Sequence, residues 1–270
     1  MFSTIADLIL ITIILGLSYF AYRKKYLTLG GVTIAITFGI ILLIVAGREY
    51  LILLLIAFFI TNSATRYKIR LKIKLGLIKP NSYIRDHKNV LANGLPIFIF
   101  GLLEGLYKYE IFIYGYLVAL TIFLSDTISS EIGVLSKKNP RLIINFKISP
   151  TGRPGAISLL GTISGILSVV LFSIIVYLMF PLNISLLFLI LILTLFSTLG
   201  NLLDSFLGAT IQAIYYCEKC NQYSEEKIHI CDNECRYVSG VKYVNNHVVN
   251  FVSILSVTIL SIIFLSLILQ

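Results

Sequence analysis

The chain of 270 residues contains no tryptophan, two methionines, three histidines and four cysteines, and only 13% of its residues carry charge. So little charge, against 57% hydrophobic residues and a mean hydropathy of +0.92, excludes a soluble globular domain and predicts a polytopic membrane protein. Without tryptophan, an interfacial aromatic belt has to be built from the 16 tyrosines; Tyr22, Tyr26, Tyr50, Tyr107 and Tyr109 stand at the ends of apolar runs, as that role requires. His87, His229 and His247 form no acid–base set with a serine or cysteine nucleophile, so each reads as a loop or interfacial histidine. The N-terminus has no cationic stretch before its apolar run and no small-residue cleavage site after it, so residues 5–22 read as a retained span rather than a signal peptide.

Apolar runs long enough to cross a bilayer occur near 5–22, 29–46, 50–64, 89–106, 111–131, 155–180, 184–216 and 246–269. The seventh is too long for one straight span, and Gly200-Asn201 with Asp204-Ser205 predicts a helix that breaks or continues along a cavity. Eight alternating crossings put 20 of the 22 Lys and Arg on one side, leaving Arg48 and Lys108 on the other. The positive-inside rule then predicts a multi-pass cell-membrane protein with basic cytoplasmic loops and both termini outside. The expected fold class is all-α: a single domain over 1–270, a membrane bundle of about eight transmembrane helices. It carries a basic cytoplasmic loop over 65–88 and a small cytoplasmic cysteine loop over 217–243. Within the basic loop, residues 66–75 alternate basic and apolar with period two, which predicts a strand or interfacial ribbon. That loop suits anionic membrane lipids or, through Lys72, Lys74, Arg85 and Lys88, a phosphate. Topology accounts for the basic surface and no recognition module is present, so nucleic-acid binding is not expected.

This topology also sends the chemically capable side chains to the cytoplasmic mouth. Asp126 and Glu131 close the fifth run and Asp204 the seventh. Charge at such a depth is costly without a partner. Five residues apart, Asp126 and Glu131 point about 140° from each other on a regular helix, so sharing one ion requires the helix to loosen. The alternatives are salt bridges to the basic loops or, with Asp204 added, a Mg²⁺ site, since that ion combines one or two carboxylates with phosphate oxygens and waters. Thr151-Gly152-Arg153-Pro154-Gly155 precedes the sixth run, with Pro154 at a first-turn position, where free N–H groups and the helix dipole favour an anion. Gly161 and Gly165, further along, read as a close-packing face. All four cysteines fall in one polar loop as Cys217-x2-Cys220 and Cys231-x3-Cys235, which predicts a structural zinc knuckle with His229 in reserve.

Taken in order, Ala64-Thr65-Arg66-Tyr67, Val90-Leu91-Ala92-Asn93-Gly94, Ser125-Asp126-Thr127 to Ser130-Glu131-Ile132-Gly133, Thr151-Gly152 to Ser158-Leu159-Leu160-Gly161, Leu203-Asp204-Ser205 to Leu207-Gly208-Ala209-Thr210, the cysteine loop, and Val244-Asn245-Asn246 to Asn250-Phe251 resemble a widespread integral-membrane family. It includes the plant plastid phytyl-phosphate kinases, a vertebrate transmembrane relative and many archaeal and bacterial members. The resemblance covers about residues 60–255. Relatives usually end the glycine loop in a Gly-Gly pair, where this chain has Arg153-Pro154-Gly155-Ala156.

The resemblance implies transfer of the γ-phosphoryl group of a nucleotide, CTP, to a polyprenyl monophosphate such as phytyl or geranylgeranyl phosphate. It assigns Asp126, Glu131 and Asp204 to Mg²⁺ and catalysis, and Thr151, Gly152, Arg153 and Gly155 to phosphate. Asn93, Asn246 and Asn250 supply polar contacts, and Thr65, Lys72, Arg85, Thr127, Ser130, Ser158 and Ser205 complete the nucleotide and phosphate set. The alternatives are a CTP-dependent polyprenol kinase, a CDP-lipid synthase and, from another class, a lipid or small-solute transporter. Oligomeric state is open, a homo-oligomer included.

Overall fold

The computed structural model of the protein describes residues 5–78 and 83–268, so Lys79 of the basic loop lies outside the described residues. Eight long helices follow the eight apolar runs: α1 (Ile5–Arg23), α2 (Leu29–Val45), α3 (Arg48–Arg66), α5 (His87–Tyr107), α6 (Glu110–Gly133), α7 (Leu159–Met179), α8 (Leu186–Thr210) and α9 (Asn246–Ile268). A one-turn-and-a-half helix, α4 (Ile69–Lys74), sits between α3 and α5. Six of the long helices have the length and hydropathy to span a bilayer; α2 and the stretch of α1 from Ile9 are shorter apolar helices. The protein is an integral-membrane, mainly helical bundle.

α6 is its axis. It is apolar on every side, so it has no face to give to solvent, and every residue from Tyr114 to Ser125 is buried. Around it stand α3, α5, α7, α8 and α9. Helices immersed in lipid gain little from hydrophobicity against one another, so small residues and close backbone approach hold the ring together. A Cβ on Gly161 would lie 2.5 Å from the Ser129 carbonyl oxygen, and one on Gly165 would overlap the Ser129 hydroxyl. The expected close-packing face of α7 is therefore its contact with α6. At one end of the bundle Val45 meets Gly105, and Tyr50 packs on Tyr116 and Phe180. The other end gathers the basic connections: Arg66 Nη2 donates to the carbonyls of Lys24 (2.7 Å) and Lys25 (2.6 Å), and Arg85 hydrogen-bonds through its backbone to Tyr26 and Thr28.

Three sequence expectations change. α8 runs unbroken to Thr210, because the residues that suggested a break find partners on neighbouring helices without opening the backbone; Asn201 Nδ2 donates to Ser125 Oγ at 2.8 Å and to Ser129 Oγ at 3.1 Å, and Asp204 accepts from Ser253. The surplus length of the seventh run becomes β3 (Ile214–Cys217), the centre of an antiparallel sheet with β4 (Gln222–Ser224) and β5 (Arg236–Ser239). Residues 66–75 hold the end of α3 and α4 rather than a strand: among the described residues no strand pairs with them, and burying Lys72 organises the segment instead. The glycine loop does not open α7 directly. It leads into β2 (Ala156–Ile157), paired with β1 (Arg141–Leu142), and α7 begins at Leu159 with Ser158 as its N-cap. Pro154 is thus a loop residue.

Candidate functional site

A cavity of about 930 Å³ opens at the end of the bundle that carries the basic connections. Its walls come from the ends of α3, α6 and α8, the starts of α5, α7 and α9, the glycine loop and the turn after β4. Of the residues expected at the site, Thr65, Arg85, Asn93, Asp126, Thr127, Ser130, Glu131, Thr151, Gly152, Arg153, Gly155, Ser158, Asp204, Ser205, Asn246 and Asn250 all line it. Lys72 does not.

Lys72 is fully buried beneath α4. Its Nζ donates to Glu131 Oε2 at 2.6 Å and to the carbonyls of Ala64 and Thr65 at 3.2 Å each. These are carbonyls of the last turn of α3, where a cation meets the negative end of the helix dipole. Lys72 thus anchors α4 and neutralises Glu131, and it has no donor left pointing at a phosphate. α6 remains regular through Gly133, so Glu131 and Asp126 do diverge as helical geometry requires. Among the described residues, Asp126, Glu131 and Asp204 do not bring three carboxylate oxygens within 4.8 Å of one another. Asp126 and Asp204 thus stand as a pair, and Glu131 is held by lysine.

Asp126 and Asp204 are half-buried across the cavity floor, close enough to repel each other electrostatically. Ser253 Oγ donates to Asp204 Oδ1 at 3.3 Å. Asn250, with its amide nitrogen turned to the carboxylate, donates to the same oxygen at 3.1 Å and to Asn246 O at 2.9 Å. The amides of Asn250 and Asn93 are 3.2 Å apart, so α5 and α9 meet over the α8 carboxylate. A third acid, Glu225, reaches the same charges from the turn after β4, and crowding by surrounding protein pushes its carboxyl above the usual value. Sequence reasoning missed Glu225 because it lies within the cysteine loop; the only hint was the acidic pair Glu225-Glu226 between the two cysteine pairs.

Lys88 and Lys227 line the cavity too, but Arg85 and Arg153 are the cations there that aromatic rings hold in place. Arg85 stands with its guanidinium carbon 5.2 Å from the Phe123 ring centroid, and burial pulls it down to about 10 against the opposing pull of Glu131, so it stays charged at neutral pH. Arg153 lies 4.4 Å from the Tyr223 ring, its Nε buried and unpartnered. The loop that carries it turns through Gly152 (φ +83°) and Gly155 (φ +75°), conformations that favour glycine. A Cβ at Gly155 would also collide with Ala209 on α8, so this loop is pressed against the helix that bears Asp204. Tyr223, from the β-sheet, fixes the guanidinium by a cation–π contact. The absent Gly-Gly pair is thus replaced by an arginine aimed at the cavity.

In the cysteine loop, donor atoms of Cys217, Cys220, Cys231 and His229 lie within 4.8 Å of one another. Cys217 and Cys231 sulfurs are 3.6 Å apart, near the roughly 3.8 Å expected between thiolates on tetrahedral zinc. Hydrogen bonds from Asn233 and His229 pull the Cys231 thiol down to about 5, the thiolate form that a metal requires, while its contact with Cys231 pushes Cys220 up to about 11. His229 Nδ1 is 3.3 Å from Cys231 Sγ and belongs to this four-donor set, whereas Cys235 stands outside it. The residues fit a zinc ion as three cysteines and one histidine.

Comparison with known proteins adds the family. The model described as "Integral membrane protein DUF92" matches residues 12–258. The chain is 34% identical over 202 residues to an uncharacterized membrane protein of Methanocaldococcus jannaschii, MJ0933, covering 75% of this chain and 82% of that one. It is 28% identical over 250 residues to the chloroplastic Protein VTE6 of Arabidopsis thaliana, covering 90% and 67%. It is also 28% identical over 179 residues to the uncharacterized membrane protein sll0875 of a Synechocystis strain, covering 65% and 69%. No solved structure matches. A family match over nearly the whole chain, together with the shared cavity of its motif residues, places this chain in the DUF92 family of integral membrane proteins.

Proposed function

We propose that the protein is a membrane kinase that transfers the γ-phosphoryl group of CTP to a polyprenyl monophosphate, giving the diphosphate and CDP. The observation that carries this reading is the composition of one cavity: two carboxylates, Asp126 and Asp204, faced by Arg85, Arg153 and a set of amides, at the end of an apolar bundle. The resemblance to phytyl-phosphate kinases and the relationship to VTE6 point the same way. A phosphate oxygen of the acceptor attacks the γ-phosphorus, the bond to the bridging oxygen of the β-phosphate breaks, and that oxygen leaves with CDP. The nucleophile is already an anion, so no general base is needed. Catalysis then rests on holding two anions in line and neutralising charge between them. Arg85 and Arg153 supply fixed positive charge, and Asn93, Asn246 and Asn250 orient the Asp204 side. Asp126 and Asp204 would hold Mg²⁺, which would neutralise the nucleotide phosphates. This reading places the cavity and the basic loops in the cytoplasm and both termini outside.

The test is purified protein in detergent with Mg²⁺, γ-labelled CTP and geranylgeranyl monophosphate. Label in the lipid with CDP released is the expected result. Pyrophosphate release would replace the reading with a CDP-lipid synthase, and no turnover with any nucleotide would refute it. Transport is disfavoured by the far end of the bundle, where Glu104 is buried and paired with Lys108 at 3.7 Å rather than lining a path.

Zinc in the Cys217, Cys220, Cys231 and His229 set would tie together the sheet that delivers Glu225 and Tyr223. Elemental analysis is expected to find about one zinc per chain, lost in Cys231→Ser and largely kept in Cys235→Ser. Equal loss in both variants would restore a four-thiolate site, and zinc-free protein would remove the metal altogether.

A further inference from the structure

A second cavity, of about 110 Å³, lies between α1, α2, α3 and α5, and its lining is almost wholly apolar. Ile14 and Leu17 of α1, Phe38 of α2, Phe58 of α3, and Ile97 and Phe98 of α5 are representative. Phe38 and Phe98, both in its wall, stack face to face on each other, with centroids 4.2 Å apart and planes 8° from parallel. At its inner end the chemistry changes abruptly. Arg85, Asn89, Asn93 and Phe123 line this cavity and the polar one alike, so the two lie back to back across a short ring of one guanidinium and two amides. Arg85 is held there by its backbone, which bridges to Leu27 beside the cavity, and by Phe123 beneath its guanidinium.

An apolar slot that ends at a cation and two amides is complementary to one kind of ligand, a hydrocarbon chain terminated by an anion. The nucleotide has no apolar part that such a slot would accept. We propose that the cavity between α1, α2, α3 and α5 receives the proximal hydrocarbon of the acceptor lipid, with its phosphate presented at Arg85, Asn89 and Asn93 to the carboxylate pair. This inference deepens the kinase reading and rests on it for the identity of the acceptor. It assigns α1 and α2 a role that neither the carboxylates nor the glycine loop explains. It also makes Gly94 a control on chain width. A Cβ there would stand 3.6 Å from the Phe38 ring, in ordinary contact, so Gly94→Leu would begin its side chain unstrained and fill the slot beside Phe38.

The experiment uses detergent-purified full-length protein and geranylgeranyl monophosphate carrying a diazirine on its second isoprene unit. Irradiation followed by peptide mass spectrometry is expected to place the label on the slot-lining residues of α1, α2, α3 and α5. Unlabelled geranylgeranyl phosphate should compete for it. Gly94→Leu is expected to lower that labelling, and to raise KM for the C20 acceptor, by about tenfold or more, the loss of roughly two buried methylene groups. The five-carbon acceptor dimethylallyl phosphate should be affected far less. Phe38→Ala, which widens the slot, should keep the label there. Labelling of α7, α8 or α9 instead, absence of specific labelling, or equal KM changes for C5 and C20 acceptors would each overturn the inference. The two readings separate cleanly. Label in the slot without phosphoryl transfer leaves a lipid-phosphate site and removes the kinase, whereas transfer with label elsewhere keeps the kinase and removes this slot.

Discussion

Asp204→Asn is expected to lower kcat for phosphoryl transfer by on the order of 100-fold or more, the scale seen when a preorganised electrostatic group is removed from a reacting centre. Asparagine keeps the shape of the side chain and an oxygen that can still accept from Ser253 and from the Asn250 amide, so the contacts among α8 and α9 survive. What disappears is the charge. Asp126→Asn should behave alike and, because the two carboxylates face one cavity, the double substitution should cost little more than either single one. Glu225→Gln is the instructive companion, since Glu225 meets the same charges from outside the helix bundle, on the cysteine loop, and its loss should be milder. Retention of near-normal turnover by folded Asp204→Asn protein, judged by an unchanged melting temperature, would sink the metal-and-carboxylate account.

Lys72→Met is expected to act on stability. It leaves Glu131 without its 2.6 Å partner and frees two carbonyls at the end of α3. Breaking a buried ion pair from one side costs roughly 3–5 kcal/mol, and the lower end applies because the Glu131 side chain keeps 19% exposure and Arg85 remains near it. Thermal unfolding in detergent should show a clear drop in midpoint. Lys72→Met/Glu131→Gln should recover part of it, because no unpaired charge is then left behind. A single variant that melts within about one degree of the parent would mean that the pair contributes nothing net. A phosphate-binding role for Lys72 makes the opposite prediction: unchanged melting with a raised KM for nucleotide.

The positions of the eight long helices were legible because hydropathy is local. Each apolar run had to satisfy its own backbone in a helix, and the structure starts and stops those helices within a few residues of the runs, except at α7 and α8. The candidate site was legible for a related reason. Polar side chains concentrated at run ends of one parity can only collect at one end of an alternating bundle, and the expected residues that line the cavity needed no more than that and the family motifs to be grouped with Asp204.

Pairing was not legible in this way. The partner of Glu131 is 59 residues away in sequence, and nothing in the alternating pattern of 66–75 distinguishes Lys72 from the other cations there. Only the packing of α4 against the end of α3 turns one of them inward, and that decision converts an expected phosphate ligand into an anchor. The same holds for α8, whose polar residues read as a break until Ser125, Ser129 and Ser253 are brought alongside to satisfy them. The sequence by itself determined a membrane bundle, its helices and the end at which polar chemistry gathers, because burial cost acts residue by residue. The tertiary structure alone decided which carboxylates remain free, which cation reaches the cavity and where Glu225 joins them, because electrostatic partnership depends on distances that the order of residues does not contain.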